Sequence, residues 1–562
     1  MAVTAAEVAR AVYIVTADGA DEALEAALRR DRRGRKRTLS ARTYLIGALL
    51  TVQCKSNVVA RDIHRTLTER IPLELQWELG ARWWASIDGA PVQRVLREKH
   101  VHAFHDVFAE RLNCTAASAP DVAEDELRRR HAALDDITHR LITPTLPDRH
   151  SRSYAIDGSG LWAWGKGRRS DARPVAEIDA GVDADSTTSA RGAAAEGAPA
   201  GGCGAARGAG RQLFDPDAAW GAKTSKDGPR EHIYGYELHA LARVPDDRAD
   251  RDAEPSLVEA FTVTPAGRDI VEPSLRIIDR ILESGQRIDD LLADRHYSYK
   301  LPERWAQELT QRGIRQVVDL HPNDHGARDY NGVRIIAGWA HCPAMPSRLD
   351  NIALPAPQAS RDEHARAAGL IAEREQWAAE RRSAPDASGA CRYRCPALAG
   401  KVGCPLREGT IEVAVRHGLP VVHHPPDRAT APTACTNSTF SVGGDAQPKV
   451  LQRHYWGGHK WRRSYNRRTF VEGYFGNLKN PSTEHVHRGF VRRAGLAAFI
   501  LAAGTAIAAC NLRQLRVWHE RTGNGNPDHP LLTIDPPRLG HAEHTAESAE
   551  AIARRHQQPK VA

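Results

Sequence analysis

The spacing of apolar and polar positions changes along the chain and divides it into regions. From residue 1 to about 148, apolar residues recur at helical spacing, most clearly over Ala41–Val59 (ARTYLIGALLTVQCKSNVV) and Leu96–Leu112, and strand signals are few. A helical N-terminal region is expected there. After Ser153 the period shortens: Tyr154-Ala155-Ile156-Asp157 opens a strand that runs on through Leu161, Trp162 and Trp164. Further strands are predicted at His232–Val244 and Val258–Thr264. Then come a helix over Pro273–Ser284 with Leu275, Ile278 and Leu282 on one face, a strand ending at Asp294, a helix near Leu301–Arg312, and a strand over Ile314–Leu320.

Three strands in a meander followed by alternating helices and strands predict an α/β fold, a ribonuclease-H-like mixed sheet flanked by helices. The first part of this core spans 149–322. A Pro-, Arg- and Cys-containing insertion domain (323–454) separates the fifth strand from a helical continuation of the core at 455–523. Residues 183–211 are Ala, Gly and Ser rich with almost no large apolar side chain, so they predict a disordered insertion. The tail, 524–562, is rich in Pro, His, Glu and Gln and is expected to be disordered as well. The apolar run Ala494–Cys510 falls short of the roughly 20 residues that span a bilayer, and it predicts a buried core helix with no membrane partner.

Composition narrows the class. With 562 residues, 41% hydrophobic and 26% charged, the chain has globular composition and room for several packed regions. A net charge of +8 fits a phosphate-rich partner, and the basic run Arg29–Arg37 before the helical region is either a backbone grip or a solvated loop. The opening residues turn polar quickly, which points away from export and to a cytoplasmic protein, and the nine cysteines are then thiols or metal ligands rather than a disulfide framework.

The strand order sets Asp157 and Asp294 on adjacent strands. Carboxylate oxygens are hard ligands suited to Mg²⁺ or Mn²⁺, and a pair of such ions can activate a nucleophile and stabilise a leaving oxygen in phosphodiester displacement. A third carboxylate is supplied by Glu472 in Tyr465-Asn466-Arg467-Arg468-Thr469-Phe470-Val471-Glu472-Gly473-Tyr474-Phe475-Gly476-Asn477-Leu478-Lys479. Tyr465, Arg468, Glu472 and Lys479 fall on one face if the segment is a single helix, although Gly473 and Gly476 weaken that helix.

This segment resembles the Y-(2)-R-(3)-E-(6)-K signature of bacterial insertion-sequence transposases of the D-D-E superfamily. Asp294-Arg295-His296-Tyr297 is similar to the D-x-x-Y around that family's second aspartate, and Tyr154–Ser159 to its first-aspartate strand. Ile233–His239 resembles its G-Y-K-L-H strand, with Glu237 in place of Lys. The resemblance covers about 150–320 and 455–515. It implies that Asp157, Asp294 and Glu472 hold the metals, that Arg468 and Lys479 bind DNA phosphates, and that Tyr465 positions the strand, with Tyr297 either touching DNA or packed beneath the site. It further implies cleavage at transposon ends, transfer of the freed 3′-hydroxyl into target DNA, double-stranded DNA as partner, and a homodimer on paired ends. A structure-selective nuclease on the same scaffold and a retired, DNA-binding derivative are the alternatives.

Two other clusters carry ligand chemistry. His454–Arg463 interleaves aromatic and basic residues, which suits either stacking on unpaired bases or core packing of Trp456 and Trp461. In the insertion, Cys391, Cys395 and Cys404 could join Cys342 in a structural Zn²⁺ site, unpaired thiols being the alternative. Asp319, His321, Asp324 and His325 are read as a polar turn.

Overall fold

The computed structural model describes residues 2–29, 37–148, 150–167, 215–223, 231–321, 324–356, 358–386, 388–444, 446, 451–533 and 546–557. Most of the basic run and all of the 183–211 insertion lie outside these residues.

Residues 1–148 are mainly helical: Ala5–Thr16, Ala20–Ala27, Ala41–Gln53, Glu98–Leu112 and Glu124–Ile142 are the principal helices. Thr4 and Ser40 cap two of them, their hydroxyls accepting the amides of Glu7 and Thr43. The structure adds a hairpin of β1 (Arg82–Ile87) and β2 (Ala90–Val95), turned at Asp88-Gly89 with φ of 48° and 80°. An Asp-Gly pair tolerates these left-handed angles, which match the twist of a tight hairpin.

A mixed sheet follows, built from β3 (Ser153–Trp162), β4 (Ala219–Lys223), β5 (Glu231–Val244), β6 (Val258–Pro265), β7 (Asp290–Ala293) and β8 (Arg315–Val318). Its order is β4-β5-β3-β7-β8, with β6 also on β5. Along one edge of β5, β4 pairs with residues 231–235 and β6 with 236–242, while β3 takes the other edge. The strands β3, β5 and β6 run antiparallel, and β3, β7 and β8 run parallel. Parallel neighbours need crossovers, and the helices Val271–Glu283 and Ala306–Gln311 lie in them. Val271–Glu283 packs against β5 and β6, and Glu124–Ile142 and Leu496–Thr522 against β6, so the apolar core runs without a break from the N-terminal helices into the sheet.

Among the described residues one helix, Leu496–Thr522, is long and apolar enough to cross a membrane, but 94% of its apolar window is buried inside the protein. It is the core helix its composition predicted. Its first amides would be orphaned donors in that interior. Asp217 and Asp215 satisfy them, accepting from Leu496 at 2.7 Å and from Gly495 at 3.0 Å. Midway along, Asn511 is fully buried and uses its whole amide: it accepts from Val258 N and the Tyr474 hydroxyl and donates to Val258 O and Thr145.

The insertion carries β9 (Arg328–Tyr330), β10 (Val333–Ile336) and β11 (Trp339–His341) as one antiparallel sheet, and β12 (Glu380–Arg381), β13 (Cys391–Arg394) and β14 (Phe440–Val442) as another. The chain leaves from β8 and returns beside it: Gln316 donates to Leu451 O at 3.0 Å and accepts the Arg453 amide at 3.2 Å. The disordered-tail expectation is corrected for its described part. Ala546–Gln557 is a helix that packs Ile552 and Ala553 against Trp77, and Trp84 donates its indole N–H to Ala553 O at 3.1 Å. Residues 534–545 and 558–562 lie outside the described set.

Candidate active site

Two strands of the parallel set change character at the same level. In β3, Tyr154, Ala155 and Ile156 are fully buried and the next side chain is Asp157; in β7, all four residues are buried and the next is Asp294. The register of β3 on β7 pairs Ala155 with Leu292. Carried two residues further, it sets Asp157, midway along β3, beside Asp294, just past the carboxyl end of β7. Asp157 Oδ1 accepts the Gly158 amide at 2.9 Å, and Asp294 caps the turn Arg295–Tyr299 by accepting the His296 amide at 2.9 Å.

Glu472 comes from the helix Thr469–Lys479, whose Val471, Tyr474, Phe475 and Leu478 are buried at helical spacing. That face packs on β3 and β5 and leaves Glu472 exposed on the other side. Two anchors fix the helix. Tyr474 is tied to Asn511 at 2.8 Å, and the buried Arg467 donates to Pro245 O at 2.9 Å and Asp246 O at 3.0 Å. Arg467 also approaches Asp290, the fully buried first residue of β7, to 3.6 Å, and Arg315 lies 3.2 Å from the same carboxylate.

The three carboxylates share one field. Burial, then the charge of Asp294 and more weakly that of Glu472, push Asp157 up to about 7 from 3.8, against the pull of Arg468 and the Gly158 amide. Arg468 stands among them, 3.5 Å from Asp157 and 2.5 Å from Glu472, and its Nε is buried with no hydrogen-bond partner among the described residues. Among the described residues no group of three or more His, Cys, Asp or Glu side chains is arranged to hold a metal ion. The carboxylates converge around a guanidinium rather than around a common point.

A fourth carboxylate, Glu237 of β5, was not singled out as a site residue. Gly158 leaves the space it occupies: a Cβ there would lie 2.6 Å from Glu237 Oε1. Burial and the charge of Asp294 hold Glu237 above the usual carboxylate range, and Lys300 opposes them. Its signal in the sequence is an acid within an otherwise apolar strand, two residues before His239.

Several expected positions are corrected. The segment Tyr465–Lys479 is not one helix: His459–Tyr465 ends in a tight turn at Asn466–Arg468 before the next helix begins, because Arg467 is drawn inward to cap the 245–246 carbonyls. Tyr465 stays close to Arg468, whose guanidinium lies 5.6 Å from the ring centre, but it is stacked on Trp461, and burial pushes its hydroxyl up to about 12. Lys479 donates its ammonium to Gly160 O at 2.7 Å and so ties the end of its helix to β3. Tyr297 is buried, bonded to Ser274 at 2.9 Å and packed on Trp305, so a direct DNA contact is excluded in this arrangement. Trp456 and Trp461 are likewise buried, their indole N–H groups donating to Asp319 and Gln452, and offer no stacking platform. Asp319 also takes Arg295 at 2.5 Å, which fits the polar-turn reading.

No protein-family model, curated protein or solved structure matches the chain.

Proposed function

We propose that the chain is a metal-dependent DNA transposase of the D-D-E kind, acting on transposon ends and inserting the freed 3′-hydroxyl into target DNA. The observation that carries this reading is the meeting of Asp157, Asp294 and Glu472, from two neighbouring strands and a distant helix, in one mutual field. Support comes also from the mixed sheet, in which β3, β4, β5 and β6 pair antiparallel and β7 and β8 continue it in parallel with helices alongside, an arrangement compatible with a ribonuclease-H-like core.

The donor set fits Mg²⁺ or Mn²⁺: clustered carboxylate oxygens with no sulfur or imidazole among them. Asp157, Asp294 and Glu472 would hold the ions, which when bound supply an activated attacking water and charge stabilisation at the leaving oxygen. The protein's own part is positional. Arg468 offsets the carboxylates, 3.5 Å from Asp157 and 2.5 Å from Glu472, and a guanidinium so placed suits a phosphate oxygen brought in beside them. Lys479 and Gly158 set the shape of the β3 end, and Asn511 and Tyr474 fix the helix that carries Glu472.

The test is cleavage of terminal-repeat DNA with Mg²⁺ or Mn²⁺, followed by a strand-transfer assay into a second duplex. Cleavage lost in Asp157→Asn, Asp294→Asn and Glu472→Gln with DNA binding retained is the expected result. Cleavage without joined products would indicate a nuclease, and binding without cleavage by the wild-type protein a retired derivative.

A further inference from the structure

The insertion encloses a cavity of about 10 Å³, walled by Cys342, Cys395, Cys404 and Cys435. That volume holds roughly one water-sized body, which is too little for an organic ligand and enough for an ion. The four cysteines come from separate stretches: after β11, after β13, the loop beyond it, and the turn Thr433–Thr436. All are buried and none is in a disulfide. Cys342 lies within electrostatic reach of the other three, Cys435 within reach of Cys395 and Cys404, and Cys404 within reach of Cys395. Every pair among the four is therefore close, which is the relation between the corners of a tetrahedron.

The backbone around them is also built for sulfur. Cys342, Cys395 and Cys404 are each followed by proline, which removes the next amide and turns the chain. The turns close with Met345 N donating to Cys342 O, Ala399 N to Cys395 O and Arg407 N to Cys404 O. In two of them the second amide after the cysteine, that of Ala344 or Leu406, points at the thiol. Arg407 adds positive charge beside Cys404 and Cys435 and ties their segments together by donating to Thr436 O at 3.2 Å and Asn437 O at 2.5 Å. A merely apolar pocket requires none of these donors.

We propose that Cys342, Cys395, Cys404 and Cys435 bind one zinc ion as four thiolates, a structural centre that organises the insertion. This corrects the fourth ligand expected from spacing. Cys391 sits in a different apolar cluster with Val333 and Tyr393, its thiol 3.9 Å from Gly389 O. Local spacing favoured Cys391; the fold brings Cys435 instead, from far along the chain. Binding releases the thiol protons and leaves a centre of net charge −2, which Arg407 partly offsets. The thiols stand around the cavity without a closed ligand shell, so the ion draws the sulfurs inward to Zn–S distances of about 2.3 Å.

The test uses the full chain expressed with zinc, exchanged into metal-free buffer and assayed for bound metal, then reconstituted with Co²⁺ alone as a spectroscopic probe. The expected result is one zinc per chain and the intense visible and sulfur-to-cobalt charge-transfer bands of tetrahedral thiolate coordination. Cys391→Ser keeps both signals, and Cys435→Ser loses most of the zinc and shifts the bands. Because Cys435→Ser can unfold the insertion, the wild-type cobalt spectrum decides alone: absent or octahedral bands overturn the proposal, as does loss of zinc in a folded Cys391→Ser. Background binding at the carboxylates is removed by repeating the measurement in Asp157→Asn.

Discussion

Arg468 lies 3.5 Å from Asp157, and the same guanidinium binds Glu472 at 2.5 Å, so one cation holds together carboxylates that come from a strand and a helix far apart in the chain. Lys479, which the family signature groups with Arg468, instead secures Gly160 O. The two cations should therefore behave differently. Arg468→Ala is expected to weaken binding of terminal DNA and reduce the salt slope by about one counterion. Lys479→Ala is expected to leave the slope unchanged and cost about 1 kcal/mol of stability. Binding titrations at several salt concentrations, paired with thermal unfolding, check this; equal salt slopes for the two variants would contradict the assignment.

Asp157 links stability to pH. Its folded value of about 7 lies above the ordinary 3.8, so the fold holds this proton more tightly than the unfolded chain does. That contribution is full below about pH 4 and is lost as pH rises to 7, since ionisation places a charge beside Asp294 and Glu472 with only Arg468 to offset it. In chelator, the wild-type melting temperature should fall across this range relative to Asp157→Asn. At pH 8 the variant should be more stable by on the order of 1 kcal/mol, roughly 2–4 °C. Metal competes with the proton, so Mn²⁺ should stabilise the wild type more at pH 8 than at pH 6. Parallel pH profiles for the two proteins would remove Asp157 as the titrating group.

Asn511 is the polar pin of an apolar helix. Asn511→Leu takes the acceptor from Val258 N and a donor from Val258 O and the Thr145 hydroxyl, and leaves the Tyr474 hydroxyl with Ile507 O alone. A loss of roughly 3 kcal/mol or more is expected, read by denaturant unfolding. A loss under 1 kcal/mol would show that the network does not hold the Glu472 helix.

Gly473 and Gly476 flank Glu472 on the exposed side of its helix, and a Cβ at either meets nothing within 4 Å. Packing within the chain does not explain them. Gly473→Ala and Gly476→Ala should each stabilise the helix by about 0.8–1 kcal/mol. If DNA approaches that bare face, both should nonetheless weaken end binding. Stabilised variants with unchanged affinity would place the DNA elsewhere.

Much of the core was legible because its strands carry unambiguous periods. Ser153–Trp162 and Val258–Pro265 emerge close to their expected limits, and Asp157 and Asp294 stand out as acids directly after buried apolar runs. The β1–β2 hairpin escaped notice because its strands are half exposed and lack a clean alternation, although Asp88-Gly89 announced the turn. Ala546–Gln557 was hidden by the composition around it; its stability comes from Trp77 and Trp84, far away in sequence. Glu237 and Cys435 acquire meaning only from neighbours that the fold supplies, Asp294 in one case and three other thiols in the other.

The return of the chain to β8 at Leu451–Arg453 makes the insertion a detour with closed ends. Because departure and return are neighbours in space, the core registers only the cost of closing a loop, and each doubling of its length adds only about 0.6 kcal/mol. Descendants of this chain can enlarge, replace or shed what lies between without moving Asp294 or Glu472. The detour can therefore change in length at little cost to the sheet that it leaves and rejoins.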